Sequence, residues 1–148
     1  GQELLADIEE AQGPLSQASQ RRETVLSMHP TAQGDMELGR LWAKQDAFEQ
    51  ADVAFTRALA AGGKGVDPLF ERAVLAWRQG KTGTAVQFLD QIAVRSADDF
   101  PAGFLRVLMA LEARDIPLAK NRLALLRAPD PETQKWKDIL TRSVGTKP

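Results

Sequence analysis

The chain contains no cysteine and no tyrosine, and its single histidine is His29. Without cysteine there can be no disulfide, no thiolate metal site and no cysteine nucleophile, whereas the compartment stays open. His29 stands beside Pro30 with no second histidine to complete a ligand set, so no metal site is expected and a helix-terminal or surface place is assigned to it. No apolar run approaches the roughly 20 residues needed to span a bilayer, and no signal peptide is visible. Nineteen basic residues against twenty acidic ones leave a net charge of −1, so bulk charge draws the chain to neither nucleic acid nor an anionic membrane. Residue 1 is Gly rather than Met, so a processed chain or a piece of a longer one is expected, from which any anchor or targeting segment could have been removed.

Runs of β-branched residues are missing too. Apolar residues instead recur at three- and four-residue intervals, which is the helical period, and the fold class read from this is all-α. A length of 148 residues suffices for one domain with a sizeable core.

The strongest signal is an internal repeat. In "DAFEQADVAFTRAL" (46–59), "GKTGTAVQFLDQIA" (80–93) and "RDIPLAKNRLALLR" (114–127), Ala51, Ala85 and Ala119 are each 34 residues apart. Phe55, Leu89 and Leu123 follow four residues later, and Ala58, Ile92 and Leu126 three after that. The preceding segments (35–45, 69–79, 103–113) keep the phase, aligning Gly39, Ala73 and Val107, then Trp42, Ala76 and Ala110. Small residues at such positions permit close approach of helices. Each unit is thus a helix, a tight turn and an antiparallel helix.

This pattern resembles the tetratricopeptide repeat family, most closely in "LGRLWAKQDAFEQADVAFTRAL" (38–59), with Gly39, Trp42, Phe48, Ala51, Phe55 and Ala58 at the family's intervals. The third unit departs from it, with Val107 at the small position and no Gly in its turn. The resemblance implies a right-handed helical solenoid in one domain over 1–148. Its repeats are expected at 31–65, 66–99 and 100–129, after a degenerate helical hairpin at 1–30 with helices near 2–12 and 15–28. In that second helix Arg22 stands where an apolar residue is expected. Residues 130–144 form a capping helix on which Trp136, Ile139 and Leu140 cluster while Lys135, Lys137, Asp138 and Arg142 stay wet; a tail follows. Asp67-Pro68 and Asp130-Pro131 place a capping acceptor before a first-turn proline, and "AGGKG" (61–65) is a glycine-rich helix exit.

Gly80-Lys81-Thr82 matches the end of a P-loop. The full motif needs another glycine where Leu75 stands, and a strand before it where the pattern is helical. Lys81 and Thr82 are therefore assigned to a turn between repeat helices. The carboxylates of "DIEE" (7–10) and "DD" (98–99) fit solvated faces or helix starts, and no acid/base pair or Ser-His-Asp set is brought together. No catalytic residue, cofactor or metal is expected, and a nucleotide-binding protein is the remotest alternative.

In the family this chain resembles, the first helix of each repeat lines the concave face. That role falls here on Met36, Phe70 and Phe104, on Arg40, Val74 and Leu108, and on Ala43, Trp77 and Leu111, with Arg40, Lys44 and Arg78 at the rim. Within each helix these are i, i+4, i+7 neighbours and share a face. The implied groove suits an amphipathic helix or an extended peptide with apolar anchors. Coverage of the same residues by the protein itself, including its last helix, stays open beside it. The Lys, Asn and Arg set that clamps chaperone tails is missing. The function expected is a non-enzymatic scaffold for a protein or peptide partner, without nucleic acid or membrane insertion, and with self-association open. The alternative is a chaperone or assembly-factor domain of a membrane-anchored bacterial envelope machine for cytochrome c maturation, pilus assembly or polysaccharide export. Compartment stays unassigned between periplasmic and cytoplasmic.

Overall fold

The three-and-four spacing of apolar residues produces helices along the chain. The computed structural model describes residues 2–62 and 66–145, with side chains from residue 14 onward. Among the described residues there are eight helices: α1 (Gln2–Met28), α2 (Ala32–Lys44), α3 (Phe48–Ala60), α4 (Asp67–Arg78), α5 (Thr82–Arg95), α6 (Phe100–Glu112), α7 (Ile116–Leu125) and α8 (Pro131–Gly145). Much of "AGGKG" and the last three residues lie outside the described residues.

The turns repeat as strictly as the helices. Asp46, Gly80 and Arg114, 34 residues apart, all take a left-handed backbone, with φ of 56°, 76° and 58°. The amides one residue on, in Ala47, Lys81 and Asp115, bond to the carbonyls of Trp42, Ala76 and Ala110 at 3.0, 2.8 and 3.0 Å. This is the six-to-one bond of a Schellman ending, made three times in register. Each turn thereby uses carbonyls that the preceding helix leaves without partners.

Helix starts are fixed by side chains. Thr31 Oγ1 accepts from the Gly34 amide at 3.0 Å, and carboxylates of Asp99, Asp115 and Asp130 accept from the amides of Ala102, Leu118 and Thr133 at 3.0, 3.1 and 2.8 Å. Asp130 thus caps α8 as expected. Asp67 does not cap α4: it is already the first helical residue, and the capping position falls on Val66, which offers no side-chain acceptor.

The expected hairpin at 1–30 is also corrected, because α1 runs unbroken through Gly13 and Pro14. A proline's fixed φ is itself helical, and what it forfeits is one amide bond. Among the described residues of this segment none takes the left-handed backbone that reverses the chain at Asp46, Gly80 and Arg114.

Packing divides the chain into two compact units, 1–85 and 86–148. In the first, Leu26 of α1 joins Leu38 and Trp42 of α2, Ala51, Ala54 and Phe55 of α3 and Leu75 of α4 in one core. In the second, Val107 and Ala110 of α6, Ala119 and Leu123 of α7, Leu126, and Leu140 and Val144 of α8 form the other. The repeat positions are buried throughout: Ala51, Ala85 and Ala119, then Phe55, Leu89 and Leu123, then Ala58, Ile92 and Leu126. Close approach is tightest at Gly39, where an added Cβ would stand 2.5 Å from the Phe55 ring. α8 covers the second core with Leu140 and Val144, while Trp136 and Ile139 stay about half exposed. Lys137 is not wet as expected, since its Nζ donates to the Leu126 carbonyl at 2.6 Å and finishes α7.

Candidate partner-binding surface

In the first unit the expected groove residues occupy α2 and α4. Met36, Phe70, Val74 and Trp77 are all partly buried, and Met36 and Ala43 lean on the first core. Phe70, Val74 and Trp77 are spaced to share one face of α4. The cations sit as rim residues tied to carboxylates. Arg40 Nε on α2 lies 3.6 Å from Glu71 on α4, which sets these two helix faces side by side. Arg78 reaches back to Asp46 at 2.6 Å and covers the Phe48 ring at 5.1 Å. Lys44 is exposed and has no ion-pair partner among the described residues.

In the second unit Phe104, Leu108 and Leu111 lie on α6 and pack partly into the second core. Phe104 has ring contacts with Phe100 at 5.7 Å and, edge to face, with Trp136 of α8 at 6.0 Å. The last helix therefore leans over Phe104, the self-coverage left open by the sequence. That unit also holds a cleft of about 310 Å³ whose lining includes Leu89, Leu126, Asp90, Arg106 and Arg122. Its Arg106–Asp90 pair at 2.7 Å is internally matched.

Two features escaped the sequence reading. Arg22 rims an open depression of about 260 Å³ together with Glu37, Arg40, Leu41 and Lys44, and pairs with Glu37 at 2.8 Å. The apolar residue expected at its position is not called for, because α1 turns Ser19 and Leu26 inward and leaves Arg22 and Val25 exposed. The second is a polar joint between α1, α2 and α3. Arg57 donates from Nε and Nη2 to Oδ1 of the fully buried Asp35 at 3.1 and 2.9 Å, and from Nη1 to Glu23. Trp42 Nε1 also approaches Glu23, at 3.5 Å. The Arg57 hydrogen bond holds the Glu23 carboxyl below its ordinary value, and the guanidinium is raised in return. Asp35 stands where the second repeat carries Leu69, and that polar intrusion at a core position was legible in principle.

The residues before Gly80 form α4, so the helical frame that denies a P-loop is present; Lys81 is an exposed turn residue as expected, whereas Thr82, also exposed, already opens α5. His29 is exposed just past the end of α1. No group of three or more His, Cys, Asp or Glu able to hold a metal occurs among the described residues. Nor is any described helix long and apolar enough to cross a membrane.

Helical hairpins repeated every 34 residues, with identical turns and small residues where helices meet, define a helical-repeat protein. The fold is that of the tetratricopeptide repeat. A tetratricopeptide repeat protein from Parabacteroides merdae superposes with a TM-score of 0.66 at 18% identity over 97% of this chain. The chain spans only 60% of that protein's length. YrrB, described as a TPR protein with an unusual peptide-binding site, superposes with a TM-score of 0.59 at 15% identity, covering 96% of this chain and 75% of its own. No family model and no curated protein sequence matches.

Proposed function

We propose that the chain is a non-enzymatic interaction module, and that its first unit binds a peptide or helix of a protein partner on the adjoining faces of α2 and α4. The observation that carries this reading is the state of Met36, Phe70, Val74 and Trp77. They are large apolar side chains on the two helices, and all are left partly exposed where the neighbouring core positions are sealed. Apolar surface of that kind gains about 25 cal/mol for each Å² a partner covers. Arg40, Lys44 and Arg78 border it and orient the partner. The tetratricopeptide fold supports the reading by analogy, and YrrB shares that fold. Phe104, Leu108 and Leu111 extend the same register into the second unit, where Trp136 already occupies part of the Phe104 ring.

The test is capture from a lysate by the intact chain and by Trp77→Ala. Proteins retained by the first and lost from the second, with unchanged circular dichroism, identify the partner. If both chains retain the same proteins at the same yield, the face of α4 is not the binding surface.

A further inference from the structure

Charge is unevenly placed in a chain whose total is only −1. Arg22, Arg40 and Lys44 line the depression between α1 and α2, where Glu37 is the one carboxylate. Arg21 stands next to Arg22, exposed, and has no ion-pair partner among the described residues. Neither Arg22 nor Lys44 is needed by the core: Ser19 and Leu26 are the α1 side chains turned inward, while Arg22 and Val25 are exposed. Met36, Arg40 and Lys44 follow one another at i, i+4, i+8 on α2, so the cationic depression borders the apolar face directly.

We infer that the partner segment is acidic: Asp or Glu side chains flanking its apolar anchors seat between Arg22, Arg40 and Lys44. This rests on the α2–α4 face being the binding surface. Charge complementarity selects the occupant. Carboxylates find three cations of which Lys44 is unengaged; Arg22 holds the exposed Glu37, and Arg40 lies 3.6 Å from the partly buried Glu71, pairings that a ligand carboxylate can exchange for its own. A nucleic acid is disfavoured, because Glu37 and Glu71 stand among the cations and the adjoining floor is apolar rather than cationic. Exposed charge contacts of this kind select among partners and speed encounter more than they add affinity.

The experiment is selection of displayed random peptides on the full chain and on Arg40→Gln/Lys44→Gln. Selected peptides are then measured by fluorescence anisotropy at low and high salt, beside a fluorescein-labelled oligo-dT. The expected result is an apolar consensus flanked by Asp or Glu. Affinity for these peptides should fall about 2- to 5-fold per cation removed, with the difference shrinking in high salt. An Arg22→Gln variant should lose a comparable factor, and its unchanged melting would show that the effect is not misfolding. An apolar consensus without acidic residues, bound equally by the variants, overturns this inference and leaves the binding face standing. No enrichment on the full chain overturns the binding face as well. Tighter binding of oligo-dT than of any acidic peptide assigns the cations to phosphate and also overturns it.

Discussion

Asp46, Gly80 and Arg114 impose the same left-handed backbone on three different residues. Only glycine takes it without a clash between Cβ and the carbonyl, and other residues pay about 1–2 kcal/mol. Gly80→Ala is therefore expected to destabilise the protein by about 1 kcal/mol. Arg114→Gly should stabilise it by about 0.5–1 kcal/mol, since relief of strain exceeds the added freedom of the unfolded chain. Urea titration followed by circular dichroism reads both, and equal midpoints would refute the argument. Asp46 gains less from the same change because it holds Arg78. Glycine and its neighbours in "RQGKTGTA" thus mark a turn, and the spacing of Ala51, Ala85 and Ala119 exposed that in the sequence because close helix approach admits few residue types. Gly39 and Phe55 show the same economy of volume. At their registers the third repeat places Val107 and Leu123, both in the second core, trading a larger residue on one helix for a smaller one on the other. Gly39→Ala alone should cost about 1–3 kcal/mol by driving Cβ into the ring. Phe55→Leu added to it should recover part of that loss, a coupling that a double-mutant cycle measures.

Among the elements, α1 is held differently from the rest. In its described part only Leu26 enters the core, and polar groups do the remainder. Buried Ser19 accepts from Gln45 Nε2 at 2.7 Å and donates to the Leu15 carbonyl at 2.9 Å, while Glu23 meets Arg57 and Trp42. This explains why the α1 region was the least legible. Gly13 and Pro14 are local breakers, and the ion pairs that α1 makes, Arg22–Glu37 and Glu23–Arg57, join residues 15 and 34 positions apart on other helices, which the helical period does not reveal. A carboxyl held below its ordinary value of 4.5 stabilises the fold above that pH and loses the contribution as pH falls through the folded value. Glu23 should therefore make melting temperature fall as pH drops from about 4.5 downward. In Glu23→Gln the protein should be less stable near neutrality, and the fall on acidification should be shallower. Parallel curves for the two chains would remove Glu23 from the account.

At the scale of the molecule, the helices that share extensive contacts are neighbours or next neighbours in sequence: α1 with α2, α2 with α3, α3 with α4, α6 with α7, and α8 with both α6 and α7. In such a chain each hairpin depends chiefly on the ones beside it, and stability is a sum of local terms and interface terms. The two cores contain no common residue. A lesion in one should therefore be felt first where it is made. Phe55 is fully buried in the first core, and Phe55→Ala removes an aromatic ring from contact with α2, at a cost of about 3–5 kcal/mol. Amide exchange in this variant should accelerate strongly across α2 and α3 and much less across α6 and α7. Leu123→Ala should give the opposite pattern at about 2–5 kcal/mol. Equal acceleration of both units by either substitution would mean that they open only together. Partner binding on α2 and α4 would then be linked to the packing of α8, and occupancy of that face would protect the amides of α6 and α7 as well as its own.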